Sequence, residues 1–423
     1  MKTVAGYFVR KPNEADDEDD EESNTSGNGN SQGLVDNFKR NIGNAWNSLA
    51  YGKWRRKEDI LEDCNSQIWL LGRCYLPEGQ GSSYEENCPL FFQDYNSRIW
   101  LTYRRDFPPL IPTNKTTDCG WGCMIRSAQM LVAQALTILF CGRAYRRISK
   151  PNIEMLQTII KLFEDKYDAD LSLHRLMTIA TTQTDEKAVG QWYSPSRSLA
   201  LLRDAINNSQ HHLLQNIRIY LSADNCIVTS EVEILSCGWT KAIILVVCLR
   251  LGTKKINDCY KHHIKSVLSM ESSVGLVGGK PKHSVYFVGF HGDYLFDLDP
   301  HFAQKYSSLG SSNENDDDQK IWDTFHCQKP TRMAIEEMDP SCAVGFLVKS
   351  QQEFNQLIQQ LSDSGIIENQ SKRALKRTKK STNEGNSLFS VIDERIPSEL
   401  MLSEYETPNL ADDEDELHGF EVV

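Results

Sequence analysis

A chain of 423 residues with 40% apolar and 25% charged side chains can bury one large core or two modest ones, which excludes a wholly disordered or fibrous protein. Its net charge of −12 is concentrated at the ends: residues 1–33 hold three basic and eight acidic groups (net −5), and residues 404–423 hold eight acidic groups and no basic one (net −8). The body between them is left at about +1, which argues against nucleic acid as a partner.

The first eleven residues have too short an apolar stretch for a signal peptide, and no run approaches the roughly 18 apolar residues of a membrane span. A cytoplasmic protein is expected, with its twelve cysteines mostly reduced. No Cys-x-x-Cys pair is present, so neither a structural metal nor another cofactor is expected.

In chain order, residues 1–33 form an acidic tail expected to be disordered. Leu34, Val35, Phe38, Ile42, Ala45, Trp46 and Leu49 recur at helical spacing and predict an amphipathic helix. A globular body over 34–370 is expected. Residues 67–72 predict a short buried strand and residues 77–90 a polar loop, while Pro108, Pro109 and Pro112 predict irregular backbone over 108–115.

The stretch Thr116-Thr-Asp-Cys119-Gly-Trp-Gly-Cys123-Met-Ile-Arg126 then leads from a glycine turn into a helix almost free of charge. Cys123 stands at that helix start, where free N–H groups and the dipole favour a thiolate. On these residues alone, an activated thiol and an inert buried cysteine are both open.

Residues 153–180 predict helices, and Gly190-Gln-Trp192-Tyr-Ser-Pro195 a loop followed by a helix over 197–207. Residues 217–221 and 242–248 read as strands and 257–270 as a helix. Residues 272–281 predict a flexible loop; its Gly278-Gly-Lys-Pro281 lacks the spacing and the Ser/Thr of a phosphate loop, so nucleotide binding is rejected. Strands are expected at 283–290, 294–299 and 343–348, with a helix at 352–361 and a disordered tail over 371–423.

A nucleophilic thiol needs an imidazole within reach and a third group to orient it. Among ten histidines, His283, His291, His301 and His326 lie outside the expected helices and tail. His301 stands out, because Asp299-Pro-His301 places a carboxylate two residues away on the same face of an extended segment. A purely structural Asp-Pro-His turn is the alternative.

The motifs Asp118-Cys-Gly-Trp-Gly-Cys-Met-Ile-Arg, Gly190-Gln-Trp-Tyr-Ser-Pro, Gly278-Gly-Lys-Pro and Leu298-Asp-Pro-His together resemble the autophagins, the autophagy cysteine proteases. So do Thr324-Phe-His-Cys-Gln-Lys-Pro and Met338-Asp-Pro-Ser-Cys-Ala-Val-Gly-Phe. The resemblance runs in one order from about Trp46 to Phe354, and is closest to the metazoan C/D-type paralogues.

It implies a papain-like α+β fold, with the Cys123 helix packed on a mostly antiparallel sheet. It implies Cys123 as nucleophile, His301 as acid/base, Asp299 as orienting acid, and Tyr103 with the Cys123 N–H as oxyanion donors. It implies that Trp192 and the loop containing Gly278, Gly279, Lys280 and Pro281 gate the groove and admit only glycine beside the scissile bond. The implied activity is cleavage after the C-terminal glycine of autophagy ubiquitin-like modifiers of the light chain 3 and GABARAP type, both for priming and for release from phosphatidylethanolamine. A transient membrane surface is therefore among the expected partners.

The chain ends Phe420-Glu-Val-Val423 behind an acidic run, which resembles a motif that docks on such modifiers by strand addition. A modifier-binding regulator with weak catalysis, acting through its tails, is the alternative function. Cys119, four residues before the thiol, raises the question of an inactivating Cys119–Cys123 disulfide.

Overall fold

The structure, a computed structural model, describes residues 66–77, 88–147, 153–184, 188–310, 316–367 and 387–394, all within the larger compact unit Ser48–Val423. The helix expected at 34–50, the acidic N-terminal tail and the Phe420–Val423 motif lie outside the described residues.

The chain enters as a hairpin, β1 (Ile68–Leu70) and β2 (Arg73–Tyr75), followed by helix α1 (Pro89–Tyr95), strand β3 (Arg104–Leu110) and strand β4 (Lys115–Thr117). The long helix α2 (Cys123–Cys141) follows, then α3 (Ile153–Lys161), α4 (Leu173–Thr184), α5 (Pro195–Asn208) and α6 (His212–Gln215). The central part runs β5 (Ile217–Ser222), β6 (Cys226–Val228), α7 (Thr229–Leu235), β7 (Ala242–Arg250) and α8 (Lys261–Ser269). Next come β8 (Ser273–Lys280), β9 (His283–His291), β10 (Tyr294–Leu298), β11 (Gln304–Lys305) and α9 (Asp316–Asp323). The last elements are β12 (Thr331–Ala334), β13 (Ser341–Val348), α10 (Gln351–Asp363) and β14 (Ser390–Ile392).

The main sheet has the order β12-β10-β9-β8-β13-β7-β5, with β1 and β2 continuing from β9. Its pairs are antiparallel apart from β5–β7. Both faces are covered, which explains why its inner strands are apolar runs rather than alternating ones. Along β7, Ile244 and Val246 enter the core on one face while Ile243, Leu245 and Val247 enter the core on the other. Helix α2 lies against the first face. Gly345 on β13 makes room for it, since a Cβ there would meet Val274 Cγ2 at 2.8 Å and Leu131 Cδ1 at 3.0 Å. This is the α+β, papain-like arrangement that the motifs imply, with a helix seated on a mostly antiparallel sheet.

Helix α2 is long and apolar enough to cross a membrane by length and composition, contrary to the expectation that no run would be; 78% of that window is buried in the fold. It ends at Gly142, whose φ of +83° suits glycine. Helix α5 starts as its sequence suggests, with Ser194 Oγ accepting from the Arg197 N–H and Pro195 in the first turn.

Four expectations are corrected. Strand β3 carries Pro108 and Pro109 because its pairing with β4 shifts register between Arg105 and Leu110, where no ladder donor is needed. The end of the expected 77–90 loop begins α1, whose buried Asp94 is met by Arg98 at 2.9 Å, Arg146 at 3.0 Å and Arg143 at 3.3 Å. Residues 273–280 form β8 and not a flexible loop. Ser390–Ile392, placed by sequence in the C-terminal tail, are a strand paired in parallel with β6.

Candidate active site

The turn before α2 is held from below. Asp118 is buried; its Oδ1 accepts from the Arg104 N–H at 2.7 Å and its Oδ2 from Arg126 Nε at 2.7 Å, while Arg126 Nη2 reaches Asp165 at 2.9 Å. Its main-chain carbonyl accepts from the Trp121 N–H at 3.2 Å and the Gly122 N–H at 2.9 Å. These bonds bend the chain so that Cys123, fully buried, opens the helix.

The opposite side comes from the end of β10. Asp299, Pro300 and His301 continue past Leu298, and Pro300 ends the strand. The Asp299 carboxylate oxygen Oδ1 accepts from His301 Nδ1 at 2.6 Å and from the His301 main-chain N–H at 2.9 Å. The segment is anchored by Trp100 Nε1 donating to the Asp299 carbonyl at 2.7 Å and by the Tyr103 N–H donating to the Pro300 carbonyl at 2.8 Å. Tyr103 meets the His301 ring edge-on, with centroids 5.3 Å apart and planes at 82°. Cys123, Asp299, His301 and Tyr103, separated by up to 198 positions in sequence, are thus brought to one place.

The electrostatics favour an ion pair. Burial opposes ionisation of Cys123, but hydrogen bonding and charge from His301, with a Ser284 backbone N–H and the Tyr103 hydroxyl, hold the thiol below its ordinary value. Burial also works against a charged His301; its bonds to Asp299 and Cys123 outweigh that and push it up to about 9. Asp299 is likewise held below the usual carboxylate range by His301 and His283, against burial. Cys119 moves the other way, because burial and the neighbouring Asp118 push it up to about 11. At neutral pH Cys119 is therefore a thiol, while the surroundings of Cys123 favour the thiolate beside an imidazolium His301.

The four remaining histidines now separate. His291 bonds Ser66 Oγ at 2.5 Å, and His326 is buried with Nδ1 3.1 Å from the Arg98 carbonyl. His301 meets Asp299. His283, which sequence reasoning left without a role, stacks flat on His301 with centroids 3.9 Å apart and planes at 11°. The signal lay in the strand pair: Asp297↔Phe287 and Leu298↔Tyr286 set a register that, continued, places His301 opposite His283.

The residues of the expected gate are distributed differently. Gly278 and Gly279 lie on β8, and β8 and β9 are joined by the two-residue turn Pro281-Lys282, with Lys282 at φ +64°. That is the pattern of a type II turn, proline first and a left-handed residue second. Gly279, at φ +146°, has no room for a Cβ, which would lie 2.0 Å from the His283 carbonyl oxygen. Lys280 pairs with Glu337 at 2.7 Å. Trp192 sits on the loop before α5 and is 48% exposed.

His283, Asp299 and His301 bring three ligand-type atoms within 4.8 Å of one another. The stacking speaks against a shared metal. Imidazole lone pairs lie in the ring plane, so two parallel rings send them side by side rather than to one point about 2 Å from each nitrogen. His301 Nδ1 is in addition committed to Asp299.

Residues 89–360 match the model of the Peptidase C54 catalytic domain. The chain is 34% identical over 414 residues to the cysteine protease atg-4.2 of Caenorhabditis elegans, covering 91% of this chain and 78% of that relative. It is 32% identical to the mouse cysteine protease ATG4C (78% and 86% covered) and 33% identical to the Xenopus laevis cysteine protease ATG4D (77% and 78% covered). Together with the thiol, imidazole and carboxylate assembled at the head of α2, these matches show that the chain is a cysteine peptidase and belongs to the Peptidase C54 family, the autophagins.

Proposed function

We propose that this peptidase acts in the cytoplasm on autophagy ubiquitin-like modifiers of the light chain 3 and GABARAP type, cleaving after their C-terminal glycine. The same site would remove precursor extensions and release the modifier from phosphatidylethanolamine at a membrane surface. The observation that carries this reading is the Cys123–His301–Asp299 line, with its thiolate-favouring environment, inside a chain of this family.

In this mechanism the Cys123 thiolate attacks the glycine carbonyl carbon, forming the C–S bond as the carbonyl electrons move to oxygen. The Cys123 N–H at the start of α2 and the Tyr103 hydroxyl stabilise that oxyanion; one such donor is worth about 3 kcal/mol. Imidazolium His301 gives its proton to the leaving amine as the C–N bond breaks, which leaves a thioester. Neutral His301 then takes a proton from water, whose oxygen attacks the thioester and returns the thiolate. Asp299 holds the ring throughout and stays ionised. An amide to a peptide and an amide to a lipid ethanolamine present the same carbonyl, so one site serves both.

The test is incubation of the full-length protein with a C-terminally extended modifier and with vesicles bearing the lipidated form, comparing wild type with Cys123→Ala. Cleavage of both by wild type alone supports the proposal. Binding without cleavage by wild type would instead favour the regulator. The gating role of Trp192 is part of the same proposal: Trp192→Ala should raise KM and let alanine replace the scissile glycine.

A further inference from the structure

We propose that His283 is a positioning residue for the His301 imidazole, covering one ring face and fixing the orientation in which Nδ1 meets Asp299 and Nε2 faces Cys123. The inference rests on the reading of Cys123 and His301 as the reacting pair.

The mechanical problem is that Asp299 and His301 lie on the same short segment beyond the end of β10. Their mutual hydrogen bond at 2.6 Å orients the ring relative to that segment, but not relative to the thiol on α2. The ring must point at both partners at once, and Tyr103 offers only an edge contact at 82°. His283 supplies the missing constraint. It is the first residue of β9, in the middle of the main sheet, and its ring lies 3.9 Å from that of His301 at 11°.

The next residue joins the same strand to α2. Ser284 Oγ lies 3.2 Å from Ser127 Oγ and donates to Met124 Sδ at 3.3 Å. The chain of contacts α2–Ser284–His283–His301 therefore carries the position of the thiol to the imidazole. The turn Pro281-Lys282 and the glycine at 279 deliver His283 to this spot, which gives the Gly-Gly-Lys-Pro sequence a structural reason.

The charges around the stack are compatible with it. His283 faces His301 and has Asp299 Oδ2 3.8 Å from its Nε2, with Lys280 nearby on β8. Burial and then the charge of His301 push His283 down to about 4, so it is neutral where His301 is charged. A neutral aromatic face against a cation is attractive; two imidazolium rings would repel.

The experiment uses the full-length protein, as wild type, His283→Ala and His283→Phe. Two readouts are followed: kcat and KM on a C-terminally extended modifier, and the rate of Cys123 alkylation by iodoacetamide across pH, measured on the Cys123 peptide by mass spectrometry. His283→Ala should lose kcat by on the order of 10-fold or more with KM nearly unchanged, because a misaligned general acid costs turnover rather than binding. Its range of rapid Cys123 alkylation should narrow. His283→Phe restores a ring face without a titratable nitrogen, and should recover most of both.

If His283→Ala does not fold, His283→Gln, similar in polarity but without a ring, takes its place with the same expectation. Wild-type kcat and alkylation in the ringless variant would overturn the proposal. A His283→Phe protein as impaired as the ringless one would also overturn it. Failure of wild-type Cys123 to alkylate at neutral pH would remove the ion pair itself, a different result from indifference to position 283.

Discussion

Asp118 lies directly beneath Gly122, so closely that a Cβ on Gly122 would come within 2.6 Å of the Asp118 carboxylate oxygen Oδ2. That oxygen is already committed to Arg126 Nε at 2.7 Å, so it cannot step aside without breaking a buried ion pair. The glycine before the thiol is therefore set by the carboxylate under the turn. Gly122→Ala should cost about 1–3 kcal/mol of stability, the usual range for overpacking, and lower kcat by displacing Cys123. Denaturant unfolding reads the first effect and steady-state kinetics the second; an unaltered midpoint would mean that Asp118 relaxes freely.

Removing Arg126 is the more severe change. Its guanidinium joins Asp118 and Asp165, at 2.7 and 2.9 Å, with all three side chains almost wholly buried. Replacement by an apolar side chain leaves two carboxylates without their cation in the interior. Arg126→Met should destabilise the protein by about 3–5 kcal/mol. The triple variant Arg126→Met, Asp118→Asn, Asp165→Asn should recover part of that loss. Equal stability of the single and triple variants in a denaturant titration would show that the charges are not the cause.

Much of this organisation was legible in the sequence because local rules agree there. The run after Cys123, almost free of charge, reads as a buried helix and is one, and the apolar run 242–248 reads as a strand and lies within β7. The Asp299-Pro-His301 spacing likewise announced its own hydrogen bond. What escaped depends on long-range pairing. Glycines at 275, 278 and 279 suggest a loop until the strand partners are known; β13 and β9 override that propensity. The prolines of β3 suggest irregular backbone until the register shift is seen. Ser390–Ile392 carries no signal of its own, since a three-residue strand is specified only by the edge it joins.

That last strand has a measurable consequence. Leu388, Phe389 and Val391 enter the second core, the Ser390 N–H bonds the Asn225 carbonyl at 2.9 Å, and the Asp393 carbonyl accepts from the Ser230 N–H at 3.1 Å. A chain ending after Ala374 should therefore be less stable than one ending after Glu394. Burial of three apolar side chains at about 1.5–3 kcal/mol each, less the cost of ordering the segment, gives a net difference of a few kcal/mol. Comparing the two truncations by thermal unfolding tests this, and coincident melting curves would show that β14 contributes nothing to the body.

The ion pair predicts the pH behaviour and its response to Asp299. The competent form is thiolate Cys123 with imidazolium His301. On the alkaline side His301 loses its proton near its raised value of about 9, and with it the acid for the leaving group. On the acid side Cys123, held below the ordinary thiol value, takes up a proton while His301 stays charged. A bell-shaped profile follows, with an alkaline limb near 9. Asp299→Asn removes the carboxylate that raises His301, so the limb should move toward the ordinary imidazole value of 6.5 and kcat should fall. The stability effect has a matching sign: a folded-state pKa raised from 6.5 to about 9 stabilises fully below 6.5 and loses that contribution as pH rises through 9. The gap in melting temperature between wild type and Asp299→Asn should therefore be larger at pH 6 than at pH 10. Cleavage rates and melting curves measured across that range decide it; an alkaline limb that stays in place in Asp299→Asn would mean that the thiolate alone, and not the carboxylate, sustains the imidazolium.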